Sequence, residues 1–236
     1  MCSRQKCDLP KKGKPLNLGD PFPNFKCITT DGEFMFHDYI DGSWAILFSH
    51  PADYTPVCTT ELARAAQLSS TFNLKGVKLI ALSCDSVESH RGWIKDVSAF
   101  GELPEGPFPY PIIADEKRDI ATLLGMLDPE EKDKEGIPLT CRAVFMINGK
   151  EPQKPMKLSM LYPASTGRNF DEVLRAMDSL IVTETRQVAT PAEWKKGTPC
   201  MVLPHVTDEQ VPKLFPTGIR RIAVPSGKDY MRTTMD

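Results

Sequence analysis

Trp44-Ala45-Ile46-Leu47-Phe48-Ser49 runs straight into His50-Pro51-Ala52-Asp53-Tyr54-Thr55-Pro56-Val57-Cys58-Thr59-Thr60-Glu61. An apolar run without polar alternation suits a strand buried on both faces. Pro56 suits the first position of a helix, where its missing N–H is not needed, and Thr55 suits the N-cap before it. Leu62, Ala65, Ala66, Leu68, Ser69 and Phe72 then recur at helical spacing, which predicts a helix over Cys58–Phe72. Gly76 falls at its C-terminal cap. A second apolar run, Val77 to Ser83, completes a strand–helix–strand unit.

Working outward, Ala143–Ile147, Tyr110–Ala114 and Met156–Tyr162 read as strands, and Gly92–Phe100, Asp119–Met126 and Asn169–Val182 as helices. In the last helix Phe170, Val173, Leu174, Met177, Leu180 and Ile181 form one apolar face. Strands alternating with helices imply an α/β layer fold. Residues 1–15, rich in Lys, Pro and Gly, are expected to be a flexible arm. Residues 16–184 should form the main domain. Residues 185–236, with six prolines, should form a small C-terminal extension packing on the main body or on a partner.

The 236 residues are 41% hydrophobic, enough for a buried core, and 29 basic against 31 acidic residues leave a net charge of -2. This is not the basic footprint that phosphate backbones select, so nucleic acid is not an expected partner. No apolar run approaches the ~20 residues that span a bilayer, so no stable membrane insertion is expected. The polar start Met1-Cys2-Ser3-Arg4-Gln5-Lys6-Cys7-Asp8 does not resemble a secretory signal, and the expected location is cytoplasmic. Seven cysteines, at 2, 7, 27, 58, 84, 141 and 200, show no CxxC and no zinc-ligand spacing. They are expected to be free thiols, and no metal or cofactor is expected.

Chemistry concentrates at Cys58. With Thr55 at the N-cap it occupies the third helical position, where the helix dipole favours thiolate over thiol. The Thr55 hydroxyl is expected to cap the Cys58 N–H and lie beside the sulfur. A cysteine in a first helical turn can also be a plain buried hydrophobe. The two prolines, the cap and the strand-to-helix turn favour the activated thiol.

The pattern PxxxTPVCTTE, carried by Pro51, Thr55, Pro56, Val57, Cys58, Thr59, Thr60 and Glu61, resembles the active-site signature of peroxiredoxins. Leu124-Gly125-Met126-Leu127-Asp128-Pro129, the stretch Tyr162 to Asp171 and the tail resemble the one-cysteine type, and the similarity runs from about Leu16 to the end. The resemblance implies a thioredoxin-like fold, with a central mixed sheet flanked by helices, and a homodimer. It implies reduction of hydrogen peroxide and of organic or lipid hydroperoxides, with an external thiol, glutathione or another, as reductant. By match to the family, Cys58 is the nucleophile, Thr55 orients the peroxide, Pro51 shields the pocket from water, and Arg142 supports the thiolate and polarises the peroxide. Supporting positions are His50, either near the sulfur or satisfied by backbone, Glu61, holding an arginine or a backbone donor, and Arg168, in the arginine network.

Two-cysteine relatives carry a resolving cysteine where this chain has Thr190. Cys200 lies ten residues further on and reads as an ordinary thiol. A phospholipase A2 activity, attributed to a GxSxG serine in some proteins of this type, is not expected. His37 and Ser43 match in place, but Asp41-Gly42-Ser43-Trp44-Ala45 lacks both motif glycines. The alternative of another class is a redox sensor or chaperone-like holdase, for which a single oxidation per signal would suffice.

Overall fold

Residues 16–235 are described by a computed structural model of the protein; the arm expected over residues 1–15, with Cys2 and Cys7, lies outside them. The elements begin with β1 (Lys26–Thr29), β2 (Gly32–Met35), α1 (Phe36–Ile40), β3 (Trp44–Ser49), α2 (Pro56–Leu74) and β4 (Val77–Ser83). There follow α3 (Val87–Phe100), β5 (Ile112–Ala114), α4 (Asp119–Leu123), β6 (Leu127–Lys132), β7 (Pro138–Thr140), β8 (Arg142–Asn148) and β9 (Met156–Tyr162). The last are α5 (Phe170–Thr185), β10 (Val188–Ala189), β11 (Cys200–Val202), α6 (Val211–Leu214), β12 (Arg220–Arg221) and β13 (Arg232–Thr234). The chain divides into two compact units, one up to Phe170 and one from Asp171.

In the first unit seven strands form one sheet in the order β2-β1-β5-β4-β3-β8-β9. β3, β4 and β5 pair in parallel, while β8 and β9 on one side and β1 and β2 on the other are antiparallel. This is the expected mixed sheet. Every residue of β3 and β8 is buried, as unbroken apolar runs require. Phe22, Phe25, Phe36, Leu47, Leu82 and Phe145 belong to the same core cluster, with Phe36 stacked on Phe25 and tilted against Phe22. Burial of such aromatic and branched side chains stabilises by about 1.5–3 kcal/mol each.

α2 begins at Pro56, where the Thr-Pro pair placed the helix start, two residues before the periodic span Cys58–Phe72. α3 begins at Val87 and not at Gly92, because Ser86 caps it by accepting the Ser89 N–H at 3.2 Å. A polar first turn hides such a start from hydrophobic periodicity. α2 ends where Gly76 takes φ 70° and bonds back to Asn73 O. The β1–β2 hairpin and the β6–β7 pair were not expected. Their strands are short and half polar.

The second unit holds a small sheet of its own. Its strands form an antiparallel sheet in the order β10-β11-β13-β12, over a core of Val188, Trp194, Cys200, Val202, Val206 and Phe215. Strands of two or three residues are too short to show alternation. Arg232 donates to Val206 O at 2.8 Å and Leu203 O at 3.0 Å, closing loop carbonyls that prolines cannot serve.

Candidate active site

The site forms where β3 hands the chain to α2. Thr55 takes an extended conformation, φ -113° and ψ 146°, and Pro56 opens the helix, so Cys58 stands at its third position as expected. Tyr54 turns the chain before it with a left-handed φ of 53°. Its ring lies over α3, where a Cβ at Gly92 would come within 2.5 Å of the Tyr54 hydroxyl. The cap differs from expectation. The Thr55 hydroxyl donates to Ala52 O at 2.9 Å and does not cap the helix. A carbonyl three residues back in the tight turn is the nearer partner, and the bond rigidifies the turn itself. Pro51 is buried beside it.

Cys58 is buried, and Arg142 reaches it from β8: Nη1 donates to Sγ at 3.3 Å and to Glu61 Oε2 at 2.7 Å. The other face of the guanidinium is fixed by Ala164 O, which accepts from Nε at 2.9 Å and from Nη2 at 2.6 Å. Both planar edges are thus used, which a lysine could not reproduce. The register that delivers Arg142 is set by side chains at the strand ends. Ser49 Oγ donates to Cys141 O at 2.7 Å and accepts from the Ala143 N–H at 3.1 Å, while Thr140 Oγ1 donates to His50 O at 2.6 Å.

Glu61, one turn after Cys58, is the hub. It accepts from Arg142, from the Arg168 backbone N–H at 2.6 Å, and from Arg168 Nε and Nη2 at 3.0 and 2.8 Å. Arg168 Nη1 donates to Ala143 O at 2.8 Å, and its guanidinium lies over the Phe48 and Phe170 rings. Burial pushes the Glu61 carboxyl up, but the hydrogen bonds and charge of Arg168, with the charge of Arg142, override it and hold the group below the usual carboxylate range. Burial disfavours the Arg142 cation, yet the Cys58 sulfur and Glu61 raise its pKa on balance. The arrangement holds a fixed cation against a buried sulfur.

The His50 ring bonds neither to the sulfur nor to backbone. Its Nε2 meets Asp53 Oδ1 at 2.9 Å, while His90 Nδ1 meets Asp53 Oδ2 at 2.8 Å. Burial pushes the His50 imidazole pKa down despite Asp53. These three residues offer ligand atoms within 4.8 Å of one another, but the atoms already bond among themselves and a metal would displace those bonds. Asp53 and His90 were missed from sequence, since nothing in their spacing joins them.

Among the described residues Cys27, Cys84, Cys141 and Cys200 form no disulfide, and burial pushes the Cys27 thiol up to about 12, Cys84 to about 11 and Cys141 upward. Thr190, expected from the resemblance to stand at the resolving position, shares a 2.6 Å hydrogen bond with Ser179 Oγ.

The fold agrees with what the chain is similar to. Residues 18–151 match the family model described as AhpC/TSA family, and residues 180–218 that of the C-terminal domain of 1-Cys peroxiredoxin. Peroxiredoxin-6 of Rattus norvegicus is 56% identical over 220 residues, covering 93% of this chain and 97% of that protein, and the Gallus gallus protein is 55% identical over the same shares. Among solved structures, a mutant peroxiredoxin 6 of Arenicola marina is 53% identical with a TM-score of 0.88, covering 93% of this chain and 98% of that one. A yeast mitochondrial 1-Cys peroxiredoxin is 35% identical with a TM-score of 0.80, covering 94% and 100%. With a thioredoxin-like sheet, a buried cysteine at a helix start and an arginine upon its sulfur, the chain belongs to the peroxiredoxins of the AhpC/TSA family, and is a thiol-dependent peroxidase of their one-cysteine branch.

Proposed function

We propose that Cys58 is the peroxidatic nucleophile and that it works without a resolving cysteine. The observation that carries this reading is the 3.3 Å bond from Arg142 Nη1 to Cys58 Sγ, held by Glu61 and Ala164. The thiolate attacks one peroxide oxygen, an S–O bond forms as the O–O bond breaks, and Cys58 becomes a sulfenic acid. The leaving oxygen departs as hydroxide or alkoxide and takes a proton to give water or an alcohol. Arg142 stabilises the thiolate before attack and the oxygen charge during it. Thr55 orients the peroxide, and Pro51 keeps water from the pocket. Arg168 and Glu61 hold Arg142 in place. Regeneration needs two equivalents of an external thiol: the first displaces water to give a mixed disulfide, and the second releases Cys58. The yeast mitochondrial relative is described as resolving its thiol through glutathione/thioredoxin systems, which supports a reductant of that chemical class here. The substrates are hydrogen peroxide and organic or lipid hydroperoxides, in cytoplasmic antioxidant defence, and the working unit is a homodimer.

The test is peroxide-dependent turnover with a small thiol in the unmodified protein and in Cys58→Ser. Thiol and hydroxyl are close in size, so the fold should survive, but only the thiolate is nucleophilic near pH 7. Turnover must vanish in the variant. Appreciable remaining activity would move the nucleophile to another residue.

A further inference from the structure

The turn between β3 and α2 carries Pro51 and Thr55, and a connection of this length has no ladder of its own to fix it. Asp53 supplies the anchoring. Its backbone N–H donates to Asp85 Oδ2 at 3.0 Å, an oxygen that also accepts from Ser83 Oγ at 2.7 Å, which ties the turn to the end of β4. Its carboxylate, with the side chain 1% exposed, lies between two buried imidazoles. Oδ1 meets His50 Nε2 at 2.9 Å, and Oδ2 meets His90 Nδ1 at 2.8 Å and accepts from Ser89 Oγ at 2.7 Å. His90 Nε2 in turn faces Ile113 O of β5 at 3.2 Å. One carboxylate thus joins the end of β3, the first turn of α3 and, through His90, β5. A buried network with this many partners has little freedom to shift.

We infer that Asp53 is a positioning residue of the peroxide reaction: it locks the turn so that Pro51 and Thr55 frame Cys58, and it sets His50 with its proton on Nε2. The inference rests on the reading of Cys58 as nucleophile. A carboxylate oxygen can only accept, so the His50 nitrogen facing it carries the hydrogen, and Nδ1 is left as a bare acceptor. That Nδ1 is buried and has no hydrogen-bond partner among the described residues. Leaving a buried acceptor unpaired is costly, and a ring flip, which exchanges Nδ1 with Cδ2 and Nε2 with Cε1, would give up the bond to Asp53. Arg142, by contrast, bonds to Cys58, Glu61 and Ala164. The cluster on the sulfur and the cluster under the turn are therefore separable by experiment.

Asp53→Asn preserves shape but presents one donor and one acceptor face, so His50, His90 and Ser89 can no longer all donate to it. Pre-reduced protein is oxidised by hydrogen peroxide in single-turnover stopped flow, and in parallel Cys58 is alkylated by iodoacetamide. The oxidation rate should fall about 10- to 100-fold, as expected when reacting groups lose alignment. The alkylation rate, which reads the thiolate alone, should change by less than about twofold. Nitrogen-15 NMR should find the His50 proton on Nε2 in the unmodified protein and a changed tautomer balance in the variant. Ser89→Ala removes one donor to the same Oδ2 from α3, and should give a smaller loss, about threefold, in the same direction. It decides the matter if Asp53→Asn does not fold. Equal loss of both rates, or an unchanged peroxide rate, overturns the positioning role. Failure of Cys58 to be oxidised in the unmodified protein would instead remove the reading on which the role rests, and is told apart because no substitution is involved.

Discussion

Arg142 and Cys58 meet at 3.3 Å across β8 and α2, 84 residues apart in sequence, and the same guanidinium nitrogen donates to Glu61 at 2.7 Å. The sulfur therefore faces a cation whose position is set by a carboxylate and a backbone carbonyl.

Arg142→Lys keeps the charge but loses the planar fork that spans Sγ, Glu61 and Ala164 O. The second-order rate of Cys58 oxidation by hydrogen peroxide should fall by ~10- to 1000-fold, the range for loss of a transition-state donor. Competition against a second peroxidase measures it. An unchanged rate would leave Arg142 a structural role alone.

Glu61→Gln tests the carboxylate that serves both arginines. Removing one member of a buried ion pair costs about 3–5 kcal/mol, so urea unfolding at pH 7 should shift to clearly lower concentration. Because the Glu61 carboxyl is held below its ordinary range, the folded protein binds that proton less readily than the unfolded chain. The stability it gives is present above the unfolded value of ~4.3 and is lost as pH falls through the lower folded value. The unmodified protein should therefore converge on Glu61→Gln in stability as the pH is lowered from about 5. A constant gap down to acid would contradict this assignment.

Lipid hydrolysis is expected to be absent. Ser43 bonds through its backbone N–H to Ile40 O at 3.1 Å, and its carbonyl lies so close to Gly149 that a Cβ there would collide with it. This is the packing of a turn residue before β3, without the small-residue elbow that exposes a nucleophilic serine. His37 Nε2 is meanwhile held by Phe22 O at 2.8 Å. Fatty acid release from phosphatidylcholine should match that of Ser43→Ala at acidic and neutral pH, and serine-dependent release would show the turn to be catalytic.

The strand–helix–strand unit around Cys58 was legible because long apolar runs and a Thr-Pro helix start leave strong local signals. Cys58 at the third helical position followed from the same signals. The Thr55 hydroxyl was misread, since Ala52 O competes for it and only the folded turn shows which partner is nearer. Glu61 was legible as a holder of an arginine or a backbone donor; that it holds two arginines and a backbone N–H depends on β8 and the Gly167–Arg168 loop converging on α2. The Asp53–His90 pair, 37 residues apart, depends on β4 lying beside β3, which spacing alone does not reveal. The second sheet escaped because strands as short as Val188–Ala189 and Arg220–Arg221 have no period to detect.

Mass spectrometry of Cys58 after oxidation tests the central claim most directly. By the family resemblance Thr190 is expected where a resolving cysteine would be, and Cys58 is buried in the first turn of α2. Reduced protein is treated with one equivalent of hydrogen peroxide, without added thiol, then exposed to a dimedone-type probe and alkylated. The account predicts probe adduct on Cys58, a gain of two oxygens there under excess peroxide, and no stoichiometric intramolecular disulfide. A quantitative Cys58–Cys200 disulfide peptide would contradict it and make this a two-cysteine enzyme.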